Sequence, residues 1–198
     1  VPKKATAGGP LDQRPVTLTN LGYRLWSGCR CRQASTWVRN WSHPRRAGVA
    51  GRGADAIWGA LRIRSEVARA EGRPLAGFSA DLWKFFDLVN PQAAIQLLEA
   101  VGLDEGVACA LKSFYAELGR IMTLNGVAGK KWFAHQSVLQ GCAWSNPLSV
   151  VLGTLLAYFV EHSAQVAAYT YADDWYVMAD RFSLEPEVEP AAANELYA

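Results

Sequence analysis

Three aspartates have the types and spacing to do chemistry: the adjacent Asp173 and Asp174, within Tyr171-Ala172-Asp173-Asp174, and Asp81, which closes the segment Pro74–Asp81. Two neighbouring carboxylates flanked by apolar, β-prone residues are costly, because an unpaired charge in such a setting must shift its pKa or find a partner. A hard divalent cation is one such partner, since Mg²⁺ takes a few carboxylates and completes its shell with water and phosphate oxygens. A carboxylate at the end of a buried strand together with one on a hairpin could bridge two metal ions about 4 Å apart, an arrangement suited to in-line phosphoryl transfer. Taken singly, the residues have plainer explanations. An Asp-Asp pair is ordinary in a surface hairpin turn, and a lone strand-end Asp fits a cap or turn.

The elements that would position them can be read along the chain. Residues 1–15, rich in Pro, Gly and Lys, suggest an extended entry. A helix is expected over about 19–38, then a basic, glycine-punctuated loop over 42–53 and an amphipathic helix over 54–70 with Ile57, Ala60, Leu61, Val67 and Ala68 on its apolar face. Alternation through Pro74–Asp81 predicts a buried strand. Asn90 and Pro91 are suited to cap and open a helix that Gly102 ends, and a second helix is expected over 104–118. Asn125-Gly126 and Gly129 mark a hairpin. The apolar run Pro147–Val160 predicts a buried helix, too short for the ~18 residues of a membrane span. Two short strands then meet at Asp173-Asp174. This order is that of a split β-α-β sheet, which would bring Asp81 beside Asp173.

The formal charge of +2 conceals an asymmetry: residues 1–75 carry 14 Lys+Arg against 4 Asp+Glu, and residues 76–198 carry 6 against 14. A basic front half suits a polyanion such as nucleic acid, although a solvated basic surface has the same composition. Cys29, Cys31, Cys109 and Cys142 lack zinc-ligand spacing and read as reduced thiols of an intracellular protein, nucleus and cytoplasm being equally open. No membrane association is expected.

FSADLWKFFD, SVLQGCAWSNPLS and TYADDWYVMA occur in the order and approximate spacing of three motifs of the reverse transcriptase palm. VPKKATAGGPLDQRPVTL and GVAGRGADAI are similar to the opening of the fingers in enzymes of the non-LTR retroelement and group II intron type. The resemblance covers about residues 1–180. It implies an α+β fold, the fingers and palm of a right-hand polymerase, with an antiparallel palm sheet packed on helices. Residues 1–75 would be the basic fingers region, 76–181 the palm, and 182–198 an acidic tail or incomplete palm helix, the piece ending before a thumb.

By position, the resemblance implies that Asp81, Asp173 and Asp174 hold two Mg²⁺ ions, with Mn²⁺ able to substitute. Lys3 and Arg14 would contact the triphosphate, Phe86 would exclude a ribose 2′-hydroxyl, Gln140 and Gly141 would line the nucleotide pocket, and Arg52 would meet the template. The implied partners are an RNA template, a DNA or RNA primer, a deoxynucleoside triphosphate, and domains beyond this piece. The sequence departs from the family's Pro-Leu-Ser-Pro after Gly141-Cys142, with Ala143-Trp144-Ser145-Asn146 in its place. Open alternatives are a retroelement-derived RNA-binding domain without chemistry, a truncated relic, and a metal-dependent hydrolase using the same carboxylates.

Overall fold

The computed structural model describes residues 16–179. In chain order they form α1 (Leu21–Trp41), α2 (Ala54–Ala70), β1 (Gly77–Asp81), α3 (Phe85–Leu88), α4 (Pro91–Ala100), α5 (Glu105–Ala116), β2 (Gly119–Arg120), β3 (Thr123–Leu124), β4 (Val127–Ala128), β5 (Trp132–Phe133), α6 (Ser145–Ser163), β6 (Val166–Tyr171) and β7 (Asp174–Ala179). The fold is mixed helix and antiparallel sheet. The described residues form two compact units, each assembled from separate stretches: residues 16–33 with Phe86–Leu148, and Ala34–Phe85 with residues 149–179.

In the first unit, α4 begins where the sequence places it. The Asn90 side chain accepts from the backbone N–H groups of Gln92 and Ala93, and Pro91 occupies the first turn where no N–H partner is needed. Asp104 caps α5 in the same way through Val107 N–H, after Gly102 turns the chain at φ 93°. The two helices bury Ala94, Ile95, Leu98, Ala108 and Leu111 completely. A Lys112–Glu99 ion pair of 2.6 Å crosses between them, beside a Gln92 Nε2 bond to the Lys112 carbonyl. In the following ribbon β3 and β4 pair through Asn125-Gly126, both at positive φ (50° and 80°), as a two-residue hairpin requires. β2 pairs with β5 outside it.

The second unit holds the sheet β1-β7-β6, antiparallel throughout. Its two faces take alternate residues. Ala167 and Tyr169, with Tyr176 and Met178, pack against Ile57, Ala60 and Leu61 of α2. Ala168 and Trp175 pack against Ala157 of α6, and Val166 and Val177 against Val160. The free flank of β6 is covered by the segment after α1, where Ala47 N–H donates to the Thr170 carbonyl and Thr170 N–H to that of Arg45.

Three expectations need correction. β1 is not buried: among the described residues it lies at the sheet edge, paired only with β7, and four of its five residues are exposed. The buried strand is β6, enclosed by helices on both faces. On α2, Val67 is 43% exposed; it sits about 100° around the helix from Ala68, off the stripe that meets the sheet. α6 is buried on one side only, leaving Leu155 and Phe159 at 48% and 67% exposure. Among the described residues no helix is long and apolar enough to cross a membrane, and all four cysteines are free.

A buried polar cluster ties the loop after α1 to α6. His43 Nδ1 accepts from Arg45 N–H, so its Nε2–H donates to Glu161 (3.0 Å). The other Glu161 oxygen accepts from Arg45 Nη1 and from Ala168 N–H. Burial holds the His43 pKa below its ordinary 6.5, against the opposing pull of Glu161.

Asn90→Ala, leaving two α4 N–H groups without their acceptor, is expected to cost about 1 kcal/mol in urea unfolding. For His43, the folded pKa lies below the unfolded value, so its contribution is complete above about pH 6.5 and is lost as pH falls towards the folded pKa. The thermal midpoint should therefore drop between pH 7 and 5, and His43→Gln should flatten that slope while lowering the midpoint at pH 7.

Candidate active site

The strand register assembles the carboxylates. Asp81 is the residue opposite Asp174 in the β1–β7 ladder, and Tyr171 is opposite Asp174 on the other side. Opposed residues of antiparallel strands share a face, with Cβ atoms about 5 Å apart. Asp81 and Asp174 are therefore held side by side at one sheet end, both exposed. The Leu82 N–H donates to the Asp173 carbonyl (3.0 Å), continuing the pairing past Asp81 onto the turn.

The turn itself is Ala172-Asp173, joining β6 to β7. Ala172 has φ 51°, a left-handed conformation that an alanine adopts only when its surroundings impose it. Its carbonyl accepts from Nη1 of Arg46 (3.0 Å). Arg46 is 1% exposed, and its Nη2 donates to Ser149 Oγ (3.3 Å). Burial brings its pKa down to about 10, with Asp173 acting in the opposite sense.

The carboxyl of Asp174 is raised above the usual range, first by desolvation and then by the charges of Asp173 and Asp81. Asp174 thus lies within electrostatic reach of both Asp173 and Asp81. Among the described residues no three His, Cys, Asp or Glu side chains are grouped to hold a metal ion as they stand. The sheet gathers these carboxylates without converging them on one point. As donors they suit a hard divalent cation: all are carboxylate oxygens, and a cation would offset both the desolvation and the neighbouring negative charge that raise Asp174.

The remaining expected site residues are distributed differently. Gln140 and Gly141 belong to the first unit, where the Gln140 carbonyl accepts from Thr17 N–H (3.1 Å). Gly141 has φ 106°, and a Cβ there would stand 3.2 Å from the Thr17 carbonyl oxygen, so glycine is demanded by both conformation and space. Phe86, in the same unit, is half-buried, and its carbonyl accepts from Val138 N–H. Lys3 and Arg14 lie outside the described residues, as does the tail from Phe182. Trp144 is fully buried, so the bulk that departs from the family pattern is absorbed in the core.

Arg52 has an internal task that its position in a basic loop did not suggest. Its guanidinium donates to the carbonyls of Arg39, His43 and Pro44 and to Ser42 Oγ, stapling the loop. Arg46 was missed altogether. A charge count cannot separate it from the exposed arginines around it. The only signal was its neighbourhood, Ala47, Val49 and the glycines, small residues that let a chain bury itself.

No family model and no curated protein matches the sequence. Solved structures do. An apo telomerase from Candida tropicalis, truncated from its C-terminal domain, superposes with a TM-score of 0.54 at 11% identity, covering 92% of this chain and 41% of that one. A telomerase from Candida albicans, in complex with a TWJ fragment of telomeric RNA, gives 0.51 at 11% identity, covering 87% of this chain and 32% of that one. The chain spans less than half the length of either. At this identity the likeness is one of fold alone: this chain shares a mixed helix-and-sheet fold with a region of these telomerases.

Proposed function

We propose that the chain is the core of an RNA-directed DNA polymerase of the non-LTR retroelement or group II intron type, transferring nucleotides from deoxynucleoside triphosphates to a primer 3′-hydroxyl. The observation that carries this reading is the rung Asp81–Asp174 beside the Asp173 turn. Hard anionic oxygens from distant parts of the sequence are gathered at one open sheet end, in a chain that shares its fold with a region of the telomerases.

In this reading Asp81 and Asp173 would hold two Mg²⁺ ions, Mn²⁺ being able to substitute, with Asp174 as the second hairpin carboxylate. When bound, the ions supply charge neutralisation at the phosphates and activation of the attacking hydroxyl. The chain's own contribution is placement. The ladder fixes Asp81 against Asp174, and the Leu82–Asp173 bond fixes the turn against β1. The sheet end carrying Asp81 and Asp174 is exposed to solvent. Nucleotide contacts fall to Lys3, Arg14, Phe86, Gln140 and Gly141, and template contact to Arg52, by resemblance. An RNA template accords with the basic front half of the sequence and with the RNA-bound telomerase among the structural neighbours.

Primer extension on poly(rA)–oligo(dT) with Mg²⁺ tests the proposal. The protein should extend the primer, and Asp173→Asn or Asp81→Asn should lower the rate by at least ~10²-fold, the scale of losing one electrostatic stabiliser of the transition state. A folded wild-type protein that binds RNA but extends nothing would replace the polymerase reading with that of an RNA-binding domain.

A further inference from the structure

We infer that Arg46 is a positioning residue: buried behind the β6–β7 turn, it locks the Ala172 carbonyl and so sets the direction in which Asp173 is presented. The inference rests on the polymerase reading for its functional consequence but not for its geometry.

Four observations converge on it. First, the arginine is enclosed at 1% exposure, an unusual place for a guanidinium. Second, its two terminal nitrogens are committed, Nη1 to the Ala172 carbonyl and Nη2 to Ser149 Oγ, while Nε has no hydrogen-bond partner among the described residues. Third, the backbone at Arg46 is itself fixed, bridged to Thr170 of β6 and flanked by the Ala47–Thr170 and Thr170–Arg45 bonds. Fourth, α6 makes room for it. Gly153 has no side chain, and a Cβ there would lie 2.6 Å from Arg46 Nη1 and 2.9 Å from Cζ.

The reason for burying a cation here lies in what it holds. Ala172 sits at positive φ with no glycine to make that conformation cheap. A charge-assisted bond from a rigid planar donor to the Ala172 carbonyl fixes the peptide that leads into Asp173. The same guanidinium lies within electrostatic reach of Asp173, giving that turn carboxylate a standing countercharge on the protein side. A solvated arginine could supply the charge but not the fixed direction. The glycine at 153 is therefore the seat of the guanidinium rather than a random weak point in α6.

Gly153→Ala separates this account from a general structural role, because it displaces the guanidinium while leaving its charge and improving intrinsic helix propensity. Gly59→Ala, in α2 with open space around the added Cβ, is the control. Amide resonances of Ala172, Asp173 and Asp174 would be followed in ¹⁵N spectra, alongside kcat and KM for dTTP on poly(rA)–oligo(dT). In Gly153→Ala and Arg46→Gln the three turn resonances should shift while those of Ile95 and Leu98 stay in place. kcat should fall by up to about 100-fold, the cost of misplacing a reacting group by about 1 Å, with KM within roughly twofold. Arg46→Lys should recover part of the rate, and Gly59→Ala should match wild type. Turn resonances that stay put in folded Gly153→Ala and Arg46→Gln would overturn the inference, as would a kcat equal to wild type. If the wild-type protein extends no primer, the polymerase reading fails, and the turn resonances alone decide the role of Arg46.

Discussion

Two like charges placed opposite each other on neighbouring strands repel, and a sheet left to its own energetics would avoid the arrangement. In this molecule Asp81 and Asp174 occupy such a rung, with Asp173 on the adjoining turn. Desolvation, with the charges of Asp173 and Asp81 adding to it, raises the pKa of Asp174. Much of the second unit can be understood as what holds this rung in place. β6 and β7 are anchored by apolar residues on both faces, α2 against one and α6 against the other. That packing occupies the length of the ladder and stops short of its charged end.

The exposure of β1 follows from the same constraint. An edge strand is normally a liability because its unpaired groups invite association with another strand. Here the edge is only five residues long and ends in an aspartate. An exposed edge also leaves the carboxylates open to solvent and to anything that brings a cation or a phosphate. Burying β1 on both sides would have made the rung costlier still, since desolvation is already the largest contribution to the shift at Asp174.

Local signals in the sequence were legible where one residue type answers one backbone demand. Asn90-Pro91 and Gly102 bracket α4, Asp104 caps α5, and Asn125-Gly126 makes the two-residue turn of the β3–β4 ribbon. The pairing that brings Asp81 beside the 173–174 hairpin was legible from the order of elements. What could not be read was which side of an apolar segment would find a partner. The runs at Pro74–Asp81 and Pro147–Val160 both suggested burial, yet one became an exposed edge and the other a half-covered helix. Nor could sequence separate arginines by environment. Arg45, Arg46 and Arg52 lie within eight residues, and all three are tied into internal bonds: one to Glu161, one behind the Ala172 turn, one across the loop carbonyls. A basic segment that reads as a surface for phosphate thus contains a substantial internal framework.

Whether the end of this sheet is the divalent-cation site proposed above is tested most directly by Mn²⁺ titration of the ¹⁵N-labelled protein. Paramagnetic broadening should begin at the amides of Asp81, Asp173 and Asp174 and spread along β1 and β7, and Asp81→Asn with Asp173→Asn should abolish it at the same Mn²⁺ concentration. Broadening centred elsewhere, or none at these three residues in the folded wild-type protein, would contradict the account.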